Sequence, residues 1–398
     1  MTLRVAFVSM HTSPAEQAGT ADAGGMNVLI RSLAEALGQQ GVSVHFITRR
    51  ADPGQPDSAP LAENVMLHHI DAGPSTPLPK SLIDGHIEAF TEGLRALGPF
   101  DLIHSHHWMS GVAALPGARE RGIPHVMTFH SVAAHPNSPL RDGEPPESPA
   151  RLAGEVICAT QSDLVIAVSH HEAAVVIGRC GAEPEQVAIV RPGVDVELFH
   201  PSDETWSPTP DVRPGYLLFA ARLQPLKGAD IAIAALAEVP ETERPDLVVV
   251  GQTSADFSGY ETELHQLVAD LNLEEHVTFL PGQDRASLAR LMRHATLVLV
   301  PSHSETFGLV ALEASASGTA VLAAAAGGLT EAICNTHTGL LVPEHDPKLW
   351  GRELTSLLRD DTRRRDMGRR GRQRALKMTW PKVATRTLTL YRRLLENS

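Results

Sequence analysis

The sequence predicts an α/β protein built from two doubly wound, Rossmann-like domains. Three observations lead there. The chain has 398 residues, room for two domains that each bury a core of their own. Short apolar runs alternate with amphipathic stretches, the pattern of parallel strands covered on both faces by helices. Residues 200–215, HPSDETWSPTPDVRPG, interrupt that rhythm with Pro, Ser and Asp and read as a linker or long surface loop. The alternation then restarts.

In the first half, strands are expected at Leu3–Ser9, Val42–Thr48, Val65–His69, Leu102–His104, His125–Phe129, Leu164–Val168 and Val187–Val190. A helix is expected from Asn27 to Gly38, others at Leu82–Leu97 and Gly154–Ser162. In the second half, strands are expected at Tyr216–Ala220, Leu247–Val250, Val277–Phe279, Leu297–Val300, Val321–Ala324 and Leu340–Val342. Helices are expected at Gly228–Val239 and Glu261–Leu271, with an amphipathic helix at Pro381–Glu396 closing the chain. The domains expected are therefore 1–195, completed by a C-terminal helix at 381–398, and 196–380. Two such domains would place a ligand cleft where the carboxyl ends of their strands face each other.

Composition narrows the function. Hydrophobic residues make up 42% and charged residues 20%, ordinary for a soluble globular chain. The formal net charge of −13 argues against nucleic acid as a partner, because phosphate backbones need a cationic surface. One basic run, Arg363, Arg364, Arg365, Arg369, Arg370, Arg372 and Arg374, reads as a solvated helix face, with contact to an anionic membrane surface as the alternative. Cys158, Cys180 and Cys334 fit neither a disulfide framework nor a metal site. The apolar run in MTLRVAFVSM is too short for a signal peptide, and no run is long enough to span a bilayer. A cytoplasmic location is the default expectation, and a homodimer is left open.

Three motifs carry chemistry. Gly24–Gly25–Met26–Asn27 lies between a strand and a helix, where glycines admit a phosphate to backbone N–H groups; a plain loop explains it equally well. Arg222 and Lys227, in ARLQPLKG after a strand, could clamp a diphosphate or could be solvated cations. The most specific is PSHSETFGLVALEA, which puts Glu305 in a loop and Glu313 inside a helix starting near Gly308. Eight residues of helix rise span roughly 12 Å, about the separation of hexose and ribose in a nucleotide sugar. One carboxylate could take hydrogen bonds from sugar hydroxyls and the other from ribose. The helix N-terminus between them would face the diphosphate. Glu313 has apolar neighbours and needs a partner if buried.

Together with HSHHW at His104–Trp108, TFHS at Thr128–Ser131, RPGVD at Arg191–Asp195 and the glycine pair Gly327–Gly328, these motifs make the chain resemble the retaining glycosyltransferases of family 4, over essentially its full length. The resemblance implies the GT-B fold, two Rossmann-like domains with the active site in the interdomain cleft. It implies that Arg222 and Lys227 bind the donor diphosphate, that Glu305 contacts the donor sugar and that Glu313 binds ribose. Gly24, Gly25 and the segment Thr306, Phe307, Gly308, Leu309 and Val310 would surround phosphates and sugar. His130 would stand near the anomeric carbon, although a histidine after a strand is also a common core residue. His104, His106, His107, His125 and His135 lie nearby in the sequence.

Retention in this family is attributed to front-face attack, in which the leaving diphosphate accepts the acceptor's proton. The catalytic set implied is His130, Glu305, Arg222 and Lys227. The co-substrate is a nucleoside-diphosphate sugar, with UDP expected. No obligatory cofactor or metal is expected, since no Asp-x-Asp motif is present. The chain resembles in particular the branch acting on inositol phosphate, which implies a small, polar, anionic acceptor held by Asn27, Lys80, His107, Ser131 and Arg151. Two positions depart: His107 stands where that branch has tyrosine, and Ser131 where it has threonine. Both still donate a hydrogen bond, but they put the acceptor in doubt. An aminocyclitol, another natural product or a lipid-linked acceptor is the alternative. Nucleotide-sugar epimerases and glycosyl phosphorylases are further readings, separated by product formation with and without an acceptor, and a non-catalytic nucleotide-sugar sensor is another, which donor hydrolysis tests.

Overall fold

The structure is a computed structural model and describes residues 2–16, 24–133, 147–202, 206–253 and 257–396. His135 therefore lies outside the described residues. The chain forms two compact units. One comprises Met1–Glu16, Met26–Pro192 and Trp380–Ser398, and the other is chiefly Gly193–Thr379.

The first unit carries β1 (Arg4–Val8), α1 (Gly25–Gln39), β2 (Ser43–Arg49), β3 (Ser58–Ala62), β4 (Val65–Ile70), α2 (Lys80–Ile83), α3 (Ile87–Arg95), β5 (Leu102–His106), α4 (Trp108–Arg121), β6 (His125–Thr128), α5 (Pro149–Gln161), β7 (Leu164–Ala167), α6 (His170–Cys180) and β8 (Val187–Ile189). Its sheet runs β3-β4-β2-β1-β5-β6-β7-β8. All pairings are parallel except β3 with β4. The strand order reverses at β1 and β5, so the loops after β1, β5 and β6 share one crevice at the carboxyl edge.

Three sequence expectations shift here. The edge strand β3 was not expected: it contains Pro60 and has no fully buried residue, so it lacks a buried strand's apolar run. The helix expected at Leu82–Leu97 is split by a 3-10 turn at Asp84–His86, around Gly85. The strand beginning at Leu102 runs on to His106, because both faces of the sheet are covered and His104, Ser105 and His106 are buried with it.

The second unit carries β9 (Leu217–Ala220), α7 (Ala229–Ala237), β10 (Leu247–Val250), α8 (Tyr260–Asp270), β11 (Val277–Leu280), α9 (Arg285–His294), β12 (Leu297–Val300), α10 (Leu309–Ala316), β13 (Val321–Ala324), α11 (Leu329–Ala332), β14 (Leu340–Val342), α12 (Pro347–Arg359) and α13 (Asp361–Ala375). The sheet is wholly parallel, ordered β11-β10-β9-β12-β13-β14. This is the strand order of a dinucleotide-binding domain, with its switch point between β9 and β12. Ahead of β9, the described part of residues 200–215 holds no helix or strand, yet it is anchored. Arg290 lies over the Trp206 ring at 4.5 Å, and the Arg213 backbone N–H donates to Asp246 at 2.6 Å.

The basic run does not form a wholly solvated face. In α13, Arg364 donates to the Leu357 carbonyl at 2.7 Å, Arg372 to the carbonyls of Val196, Phe199 and Ala316, and Arg374 to that of Glu331. These guanidiniums tie off backbone oxygens, while Arg365 and Arg369 pair with Asp361 and Asp366. The last helix, α14 (Trp380–Glu396), belongs to the first unit. Gln40 Nε2 donates to the Pro381 carbonyl at 2.8 Å, and Tyr391 Oη is 2.6 Å from His104 Nδ1.

Candidate active site

In the second unit the switch point brings together the loops after β9 and β12. The His303 backbone N–H donates to the Leu226 carbonyl at 2.9 Å. Lys227 Nζ meets Glu305 Oε1 at 2.6 Å, each side chain about one-fifth exposed (18% and 19%). Ser302 Oγ donates to the same carboxylate oxygen at 3.2 Å. Lys227 and Glu305 are 78 residues apart, so only the fold makes them neighbours. Arg222, half-buried, leaves β9 on the same edge.

The turn into α10 depends on glycine. Gly308 has φ +101°, a conformation L side chains avoid. A Cβ on Gly328 would stand 2.1 Å from the Thr306 carbonyl oxygen. The Gly328 N–H donates to the Glu305 carbonyl at 2.7 Å, which fixes the strand-to-helix loop through Thr306 and Phe307. Gly308 caps α10 with no side-chain acceptor. Leu309 and Val310 open its first turn, leaving N–H groups suited to an anion.

Glu313 lies inside α10 and is buried, its side chain 4% exposed. The partner that burial demands is Arg285, at the start of α9, whose Nη1 donates to Glu313 Oε1. The Arg285 guanidinium also lies over the Phe199 ring at 4.7 Å. No spacing in the sequence singles out Arg285. The requirement for a cation was legible, its source 28 residues upstream was not.

In the first unit histidines cluster within and just after β5 and β6. His104 is bracketed by Tyr391 Oη and by Thr128 Oγ1 at 2.9 Å. His125 lies between Ser162 Oγ and Ser105 Oγ. These two are satisfied core residues. His106 Nδ1 is 2.9 Å from His130 Nε2. His130 takes φ +60° and His107 φ +73°. Burial pushes His125 and His130 down to about 3 and holds His104, His106 and His107 well below the usual imidazole range. For His107 the charges of Lys80, His11, Arg151 and His130 add to that depression. This places Lys80, Arg151 and His130 in one electrostatic neighbourhood around His107, although the sequence scatters them.

His107 is 1% exposed, and neither ring nitrogen has a hydrogen-bond partner among the described residues. Arg151 is heavily committed: Nε to Glu155 at 2.9 Å, Nη1 to both Glu147 oxygens at 3.0 Å, and Nη2 to Ser131 Oγ at 3.3 Å. Glu155 also accepts the Ala133 N–H at 3.0 Å. Asn27 is buried and spends its amide N–H groups on Thr12 Oγ1 (2.6 Å) and the Ser13 carbonyl (2.8 Å), bracing the loop after β1. Gly24 and Gly25 come just before Asn27 in the chain, Gly25 opening α1, and both group with the second unit. Sequence reasoning missed Glu172, a buried α6 carboxyl that accepts the Val168 N–H at 2.7 Å and faces the backbone of His130. Burial pushes it up to about 7. Its position in Ser169–His–His–Glu172 is the local signal, since Ser169 caps α6.

Among the described residues no cluster of three His, Cys, Asp or Glu side chains could hold a metal, and no helix is long and apolar enough to cross a membrane.

Two doubly wound units, each with polar side chains gathered at a strand-order reversal, define an α/β protein of the GT-B class. The family described as Glycosyltransferase Family 4 matches residues 23–198, and that described as Glycosyl transferases group 1 matches residues 203–374. The chain is 39% identical to a D-inositol 3-phosphate glycosyltransferase of Jonesia denitrificans, over 98% of this chain and 96% of that one. It is 40% identical to one of Stackebrandtia nassauensis, over 98% and 91%. The chain belongs to the family 4 glycosyltransferases. Among solved structures, sucrose-phosphate synthase from Thermosynechococcus elongatus superposes with a TM-score of 0.92 at 30% identity, covering all of both chains. Anabaena Alr3699/HepE in complex with UDP and glucose shares the fold, with a TM-score of 0.76 at 20% identity over 98% of this chain and 99% of that one.

Proposed function

We propose that this glycosyltransferase is a retaining enzyme that moves a hexose or N-acetylhexosamine from a UDP-sugar to a small polar acceptor, inositol phosphate first among candidates. The observation that carries the reading is the Lys227–Glu305 contact at the β9–β12 switch point, beside the uncapped start of α10. A cation, a carboxylate and free helix N–H groups at one sheet edge suit a diphosphate joined to a polyol. Arg222, Lys227 and the α10 N-terminus would stabilise charge building on the leaving diphosphate, which takes the acceptor's proton. Glu305 would hold the sugar hydroxyls, and Glu313, steadied by Arg285, would bind the ribose. His130 and the loops of the first unit would position the acceptor. An α-linked donor is expected to give an α-linked product. NMR of the first-formed product tests this, and a β linkage would overturn the retaining assignment.

The inositol-phosphate reading draws on the relatives and on Lys80, whose charge reaches His107. A second reading has its own support: Glu147 and Glu155 already face the Arg151 guanidinium, which favours a neutral or aminocyclitol acceptor. Assaying inositol phosphate against inositol and aminocyclitols separates them. On the first reading the phosphorylated acceptor has the highest kcat/KM, and Lys80→Ala removes most of that advantage, about tenfold or more for one charge-assisted contact. No preference for the phosphate, or a preference unchanged in Lys80→Ala, supports the second.

A further inference from the structure

We propose that His106 is the positioning residue of the first unit's site, its Nδ1–H donating to His130 Nε2 and so fixing the tautomer in which His130 carries its proton on Nδ1. The inference rests on the reading of His130 as a residue close to the transferring sugar.

The two rings are joined by one hydrogen bond of 2.9 Å between His106 Nδ1 and His130 Nε2. Both imidazoles are neutral at physiological pH, so each has one N–H and one bare nitrogen. Two arrangements satisfy the contact. If His130 donates, His106 carries its proton on Nε2, which is buried and has no partner among the described residues. That would strand a buried donor, among the rarer and costlier defects of a folded chain. If His106 donates, its Nε2 is a bare acceptor and no buried N–H is stranded. The second arrangement is favoured.

The rest of the surroundings fit a positioning role. His106 is fully buried on β5, its ring 4.9 Å from that of Phe7 and 4.2 Å from that of His104. It cannot turn without displacing core side chains. His130 sits just beyond β6 with φ +60°, a conformation a non-glycine residue holds only when its surroundings impose it. The Glu172 carboxyl faces its backbone, and His106 holds its ring. Near an anomeric carbon, a donor N–H binds a hydroxyl or diphosphate oxygen, whereas a bare nitrogen takes a proton. Setting the tautomer therefore sets what His130 does.

The test uses full-length protein labelled with 15N-histidine, the His130 ring signals being assigned by their loss in His130→Gln. Wild type is expected to show a bare Nε2 and a protonated Nδ1 for His130. In His106→Leu the ring should become a tautomer mixture and kcat should fall about tenfold or more with KM little changed, because a wrong tautomer is costly in catalysis. His106→Asn, whose side-chain amide can donate from a similar place, should restore much of both and guards against simple misfolding of the leucine variant. A protonated Nε2 in wild type overturns the proposal, as does an unchanged kcat in His106→Leu while His130→Gln is inactive. Full activity in His130→Gln would remove the catalytic reading of His130 and the proposal built on it, whereas the NMR result would still report the dyad by itself.

Discussion

Lys227→Ala is expected to lower kcat/KM for glycosyl transfer by about 10- to 150-fold, and Arg222→Ala by a similar factor. Each would remove a charge-assisted contact to the donor diphosphate worth about 1.5–3 kcal/mol. Lys227 should be the more sensitive position. Its ammonium now faces Glu305 at 2.6 Å, so alanine both deletes a cation and leaves a carboxylate beside an incoming polyanion. The loss should weaken binding of the nucleoside diphosphate itself. Thermal-shift titration with UDP reads that directly, since a ligand at 100 times its Kd stabilises by roughly 2.7 kcal/mol. Near-normal kinetics in both variants would remove the diphosphate assignment from this loop.

Acidification is expected to destabilise the protein steeply below pH 6.5. In the folded chain burial pushes His125 down to about 3 and holds His104, His106 and His107 well below their usual value. The unfolded chain takes up these protons first. Their contribution is therefore fully present above about pH 6.5 and is lost as pH falls toward the folded values, by up to about 1.4 kcal/mol per pH unit for each site. Glu172, pushed up to about 7, has the opposite sign. Its folded form holds a proton that the unfolded form releases, so acidification from pH 7 to about 4.5 returns stability and offsets one histidine. Four histidines outweigh that one carboxyl, so the net change between pH 6.5 and 5 should still be a loss of stability. Urea unfolding at pH 7.5, 6 and 5 measures it, and a flat profile would mean that the folded crevice admits water and protons freely.

The alternation of short apolar runs announced both sheets, because strands covered on two faces must be apolar almost throughout. The same rule hid the end of β5. His104, Ser105 and His106 are as buried as the leucine and isoleucine before them, but polar side chains read as a loop until their partners are known. The carboxylate pair of the second unit was legible as a spacing, and its surroundings were not. Arg285 and Lys227 reach Glu313 and Glu305 across 28 and 78 residues, a distance at which local pattern carries no signal. The arginine run of α13 misled for a related reason. Composition counts charges, whereas Arg372 is defined by the three carbonyls it closes off.

The bond between Tyr391 and His104 joins positions 287 residues apart, and nearly all of the second unit is strung between them. During synthesis, β5 is made early and must wait with a polar histidine facing an unfilled side of its sheet. Nearly all of the second unit emerges before α14 is available to cover it. The first unit thus reaches its final packing last, although most of it is translated first. Any stop codon or proteolytic nick just before Trp380 would strike the half of the molecule that lies farthest from it along the chain.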